Sequence, residues 1–365
     1  MASSDVVVRD ALQDGPSVRE RVRVPLLLCA TLALAVLAIV SMSTGSTGIQ
    51  LTSLPGAIAA AIGVSSDSAD QRAALVLLDL RLPRTLLAIF VGASLAVAGA
   101  MMQGLFRNPL ADPGLVGVSS GATLAAVSMI VLGNSIFGSW HQVLGVFALP
   151  IAAFLGGLLT TLALMTVASR HGATAVATLL LAGIALGALT GALTGILAYI
   201  SNDRELRDLT LWSMGSLSGA SWPKAAAIAP FAIILAIALP GLVRALNGLL
   251  LGEAEAFYLG IDVESVKRRI VVLTAAAVGA AVAVAGIIGF VGIVVPHLVR
   301  MIAGPDHRIL LPASALIGAA LVLLADVIAR VIVTPAELPI GIIMAIIGAP
   351  VFLHLVLKRS SGVVM

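Results

Sequence analysis

What most restricts this chain is a succession of apolar runs, most about twenty residues long and almost free of charge. They cover residues 24–40, 85–105, 115–132, 143–168, 174–200, 225–242, 270–286, 309–333 and 339–357. Some 20 apolar residues in a row cross the hydrocarbon of a bilayer as a helix, and a water-soluble core has no use for nine such runs. Only 11% of the 365 residues are charged, against about 25% in an ordinary globular chain. The expected class is an all-α polytopic membrane protein, since the alternation of a transmembrane barrel is absent. A tenth, shorter helix is expected at 291–302, where GIIGFVGIVVPHLVRMIAG is too broken to span alone.

Ten spans place both termini on one side. With the N-terminus inside, fourteen of the 21 Lys and Arg residues fall in inner segments and seven in outer ones, the bias of a cytoplasmic N- and C-terminus. The expected layout is a tail at 1–23, one permease domain at 24–358 and a second tail at 359–365. A signal peptide is the competing reading of the N-terminus, but the leading segment is long and SMSTGSTG offers no Ala-x-Ala site. Residues 45–79 read as a connection with a surface helix near 54–62. Cys29 is the single cysteine and forms no intrachain disulfide.

The strongly charged stretch between spans six and seven is 247–269, NGLLLGEAEAFYLGIDVESVKRR. Gly252 and Gly260 bracket about two helical turns in which Glu253 and Glu255 alternate with Ala254, Ala256, Phe257 and Tyr258. Such a helix lies at the membrane surface and fits a groove on a partner. On these residues alone an ordinary loop helix is an equal reading.

VGASLAVAG at 91–99 recurs as VGAAVAVAG at 278–286, seven of nine positions being identical. Low-complexity composition is one source of such a match. The copies fall in spans two and seven, which run oppositely, as an inverted repeat of spans 2–5 and 7–10 requires. Gly183, Gly187, Gly191 and Gly195 give span five one smooth face, for which packing inside the subunit is the simpler reading on its own.

Chemistry-bearing motifs are scarce. Gly117-Val118-Ser119-Ser120-Gly121 matches a nucleophile elbow, but it opens an apolar helix where the elbow needs a strand first. There is no Walker A sequence, no zinc-like histidine spacing and no basic surface for nucleic acid. Asp326 and Arg330 form an i, i+4 pair near the outer end of span nine, better suited to structure or docking than to a proton relay. A proton-coupled transporter, driven without an ATPase, and an intramembrane hydrolase acting through Ser119 stay as alternatives.

Four segments carry a resemblance: LRLPRTLLAIFVGASLAVAGAMMQGLFRNPLADPGLVGVSSGA (80–122), LGEAEAFYLG (251–260), GFVGIVVPHLVRMIAGPDHRILLP (289–312) and AELPIGIIMAIIGAP (336–350). They resemble the FecCD-type binding-protein-dependent permeases for iron siderophores, haem and vitamin B12. The resemblance implies ten helices per subunit, a homodimer in the bacterial inner membrane, two cytoplasmic ATPase subunits that hold ATP and Mg, and a soluble substrate-binding protein outside. The permease would be no enzyme and bind no cofactor of its own.

Residue by residue, Glu253, Glu255, Ala256, Phe257 and Gly260 match the segment that couples to the ATPase. Arg81, Arg84 and Arg330 match arginines that dock the binding protein, with headgroup snorkelling as the plainer role. Val176 and Ala177 match the cytoplasmic gate, although the small hydroxyl residues of the vitamin B12 permease are absent there. The Gly183 to Gly195 face then reads as pathway or dimer seam. The outer loop 202–222 looks most like haem permeases, which puts haem first as cargo, with ferric siderophore and vitamin B12 as alternatives. Tyr199, Met214 and His141 are weighed as transient iron ligands and not assigned.

Overall fold

The computed structural model describes residues 18–45, 49–133, 143–170, 173–174, 176–333 and 336–360. The expected tails lie largely outside these, and helix α1 (Val18–Ser43) already begins within the first of them. Val24, Leu28, Leu32, Val36 and Ile39 are exposed along α1, an apolar stripe at helical spacing suited to lipid contact.

The connection at 45–79 is more ordered than its composition suggested. It forms α2 (Leu54–Ala61) and α3 (Ser68–Ala74), packed on each other, and Asp67 caps α3 by accepting from the Ala69 N–H at 3.1 Å. From α3 the chain continues through a π-helical stretch, Leu75–Arg81, into α4 (Leu82–Leu105). The remaining helices are α5 (Val118–Leu132), α6 (Ala148–Ala168), α7 (Val176–Ile200), α8 (Asp203–Ser213), α9 (Trp222–Leu251), α10 (Glu253–Tyr258), α11 (Val263–Ala285), α12 (Val291–Ala303), α13 (His307–Ile332) and α14 (Ile340–Ser360). Ser169–Arg170 and Ala173–Thr174 pair as a minimal antiparallel ladder before α7.

Among the described residues, seven helical rods are long and apolar enough to cross a membrane. Expected spans three, eight and ten have shorter apolar helices, Val118–Leu132, Val291–Ala303 and Ile340–His354. The shortening of α5 and α12 has one cause: each starts from a left-handed residue, Gly117 at φ 78° and Phe290 at φ 67°. Helix cannot propagate back through that conformation.

The two copies of the repeated motif occupy the centre. In α4 and α11, 78% and 72% of the apolar window is buried, against 11% in α1 and 17% in α7 and α9. Helix α4 packs along α13 while α11 packs along α6, α4 touches α12 as α11 touches α5, and α4 and α11 touch each other. Spans two, eight and nine thus relate as seven, three and four do, which is the exchange an inverted repeat produces.

Two boundaries depart from expectation. Helix α9 does not stop at 242 but carries Pro240, Gly241 and Gly248 within it and runs to Leu251, ending where Gly252 takes φ 138°. The segment 247–269 is therefore no free loop: its ends are the last turn of α9 and the first turns of α11. The segment 202–222, expected as an outer loop, begins with α8, whose capping box is complete: Asn202 Oδ1 accepts from Glu205 N–H at 3.0 Å and Glu205 Oε2 from Asn202 N–H at 3.1 Å. Asn-x-x-Glu was legible as a helix start.

Candidate coupling hairpin and outer charge cluster

The hairpin between α9 and α11 is stiff. Gly252 supplies the turn that starts α10 and Gly260, at φ 76°, the left-handed turn that ends it. Ala256 is fully buried and Ile261 lies against Gly248 of α9, where any Cβ would strike the Ile261 Cδ1 methyl. Buried Lys267 donates to Glu253 at 2.7 Å and to Glu264 at 3.0 Å, tying the start of α10 to the first turns of α11.

With these residues turned inward, Leu251, Phe257, Tyr258 and Leu259 are left more than half exposed, the two rings edge to face with centroids 6.1 Å apart. A rigid apolar knob flanked by Glu253 and Glu255 is what a partner groove recognises.

The base of the hairpin is bolted to α13. Asn247 donates its amide to Asp306 Oδ1 at 2.8 Å, and its Oδ1 accepts from the His307 backbone N–H at 2.9 Å and lies 2.9 Å from His307 Nδ1. Asp306 also accepts from the Arg308 N–H and pairs with Arg23 at 3.3 Å. Partial burial by itself would raise the Asp306 carboxyl, but these donors and the Arg23 and Arg308 charges outweigh it and hold the group below the usual carboxylate range. Its contribution is present above the ordinary carboxylate value and fades as the pH falls through the lowered one. Sequence reading missed Asn247, Lys267, Asp306 and His307 as one construction. Only Glu264–Lys267, at i, i+3, carried a local signal.

At the opposite end of the bundle the structure brings Arg81, Arg84 and Arg330 together, but each is occupied within the chain. Arg84 pairs with Asp326 at 2.9 Å and grips Glu337 with two donors at 2.9 and 3.0 Å. Arg330 pairs with Asp326 at 3.0 Å and reaches the Thr44 carbonyl and Ser41 Oγ, both at 2.9 Å. Arg81 donates to the carbonyls of Met42 and Ile49 at 2.6 and 3.0 Å. Asp326 is fully buried, and the Arg84 and Arg330 side chains are 13% and 7% exposed. The pair at 326 and 330 is thus half of a larger network closed by residues from α1, α4 and the stretch before α14.

Helix α7 has the opposite character. Gly187, Gly191 and Gly195 face open space, whereas Gly183 is buried. Packing inside the subunit is therefore not what Gly187, Gly191 and Gly195 serve. Val176 and Ala177 open α7 next to the short β ladder. Tyr199 is 90% exposed and Met214 partly so, while His141 lies outside the described residues. Ser119 follows a 3-10 turn, Pro113–Val116, and not a strand, so the elbow geometry is absent. No group of acidic, His and Cys residues suited to a metal occurs among the described residues.

A family model of the FecCD transport family matches residues 32–358. The chain belongs to that family. FecCD relatives include a hemin transport system permease protein of Yersinia pestis, 49% identical over 78% of this chain and 84% of its own length. A cobalamin import system permease protein of Halobacterium salinarum is 43% identical over 80% and 75%, and a vitamin B12 import system permease protein of Escherichia coli is 40% identical over 94% and 98%. Among solved structures, a protein described as a metal-chelate type ABC transporter in an inward-facing conformation superposes with a TM-score of 0.77. It is 33% identical and covers 92% of this chain and 99% of its own. The chain is accordingly an integral membrane permease of the ABC importer class.

Proposed function

We propose that two copies of this chain form the membrane channel of an ATP-driven importer in the bacterial inner membrane, with both termini and the α9–α11 hairpin cytoplasmic. ATPase subunits holding ATP and Mg grip α10, a binding protein delivers cargo at the Arg84–Asp326–Arg330 end, and the α7 faces meet across the pathway. The observation that carries the reading is the hairpin. Held by Lys267, Ala256 and Ile261, it passes a push on Phe257 and Tyr258 directly into α9 and α11. Val176 and Ala177, at the head of α7, are proposed gate positions.

On the outer face the geometry narrows the docking reading. The glutamates of a binding protein would meet Arg84 only by competing with Glu337, which is 33% exposed. Haem is the preferred cargo, from the hemin relative and the outer segment 202–222; cobalamin and ferric siderophores are the other candidates.

Two experiments test this. In Phe257→Asp/Tyr258→Asp, loss of buried aromatic anchors at about 2 kcal/mol each predicts at least ~30-fold weaker ATPase association per ring, with an unchanged melting temperature. Normal copurification of the ATPase would sink the hairpin assignment. Lys267→Met leaves Glu253 and Glu264 hydrated, so its stability cost is about 1 kcal/mol or less. Transport per ATP hydrolysed is nevertheless expected to fall several-fold in reconstituted vesicles, measured with haem, a ferric siderophore and cobalamin in parallel.

A further inference from the structure

Where α1, α12 and α13 come together at the hairpin end of the bundle, two arginines have donors that nothing in the described chain receives. Arg300, in the last turn of α12, buries Nε and Nη2 without an acceptor, and Arg23 on α1 buries Nε likewise. The carboxylate beside Arg23 is Asp306, which also serves Asn247 and the Arg308 N–H. Arg300 is close enough for its charge to act on His307, the neighbour of Asp306. Arg23 and Arg308 act on Asp306 and Arg300 on the adjoining His307, so three arginines share this corner with one carboxylate.

Its surroundings are greasy. Leu298, Met301 and Ile302 form an exposed stripe on α12 at i, i+3 and i+4, and Val24 and Leu28 are exposed on adjoining α1. Buried guanidinium donors are costly unless they meet an acceptor, and a fork beside lipid-facing side chains suits a phosphodiester whose acyl chains lie along that stripe. We propose that this corner is a binding site for the headgroup of an anionic phospholipid in the leaflet next to the hairpin. The site is independent of the ATPase reading. It would fasten α1 and α12 to the Asp306–Asn247 joint, so lipid charge and hairpin rigidity become linked.

The test uses the full-length chain purified in neutral detergent. Phosphatidylglycerol is added, and bound lipid is read by native mass spectrometry alongside the melting temperature. Wild type is expected to retain phosphatidylglycerol over phosphatidylcholine and to melt higher with it. Arg300→Gln should lose about five-fold in retention and the accompanying shift. Arg300→Lys, which keeps the charge and loses the fork, should fall between. Should Arg300→Gln not fold, Arg23→Gln reports the same loss. Equal retention by wild type and variants overturns the site. Stabilisation by inorganic phosphate as large as that by lipid overturns its assignment to a membrane headgroup. Protection by the ATPase subunit alone, with no lipid effect, assigns Arg300 to a protein carboxylate instead.

Discussion

Gly99→Leu is expected to yield no monodisperse, folded protein. A Cβ on Gly99 would run into the carbonyl of Gly292 on α12, and seven residues earlier a Cβ on Gly92 would meet the Gly318 carbonyl and come within 2.8 Å of the Ala319 Cα on α13. Central helix α4 therefore crosses both neighbours with backbone against backbone. In a bilayer that closeness is the source of helix association, because lipid is as apolar as any side chain. Even one added methyl must separate rods that cannot part without breaking their other contacts, at about 1–3 kcal/mol or more. A leucine adds three further carbons with nowhere to go. Gly241→Leu on α9 is the control: its glycine faces open space, so normal yield and an unchanged or higher melting temperature are expected. Gly191→Leu separates two meanings of an open face, since the single chain should fold while the proposed homodimer is lost. Size-exclusion profiles and thermal unfolding of the three variants decide the matter.

Asp326→Ala is expected to cost about 3–5 kcal/mol, the range for stranding a buried charge pair. Two guanidinium groups, on Arg84 and Arg330, depend on that one carboxylate, which water does not reach. Arg84 keeps Glu337, and Arg330 keeps carbonyls near the end of α1, but neither set replaces a charge at the centre. Glu337→Gln, at a partly exposed site, should cost about 1 kcal/mol or less and speed capture of the binding protein. The double variant Asp326→Leu/Arg84→Met should recover part of the stability lost by Asp326→Ala, since a well-packed apolar pair often equals a buried ion pair. Thermal unfolding of the four proteins reads the stabilities. If Asp326→Ala melted like wild type, the network would be ornamental.

The hairpin shows how far local pattern reaches. Its two bracketing glycines and alternating Glu and Ala placed α10 almost to the residue, because turn chemistry and helix period are written within ten positions. The end of α9 is less local: hydropathy falls after Leu242, yet packing carries the helix through Gly248, and it ends only where Gly252 leaves helical backbone at φ 138°. The lysine that locks α10 could not be inferred, as Glu253 and Lys267 lie fourteen positions apart and meet only when α9 and α11 fold back.

Taken by itself, the order of residues determined that this chain lives in lipid, that two of its rods carry a repeated motif, and that a charged segment with a short helix joins spans six and seven. Those properties follow from hydropathy, period and turn residues, all short-range. Only the tertiary structure decided that Arg84, 242 positions from Asp326, is spent inside the protein. It likewise decided that Gly187, Gly191 and Gly195 of α7 meet nothing among the described residues, while Gly92 and Gly99 of α4 touch the backbone of α13 and α12. Whether a charge is free or a smooth face is covered depends on which helices stand side by side, and that is set by packing over the whole bundle.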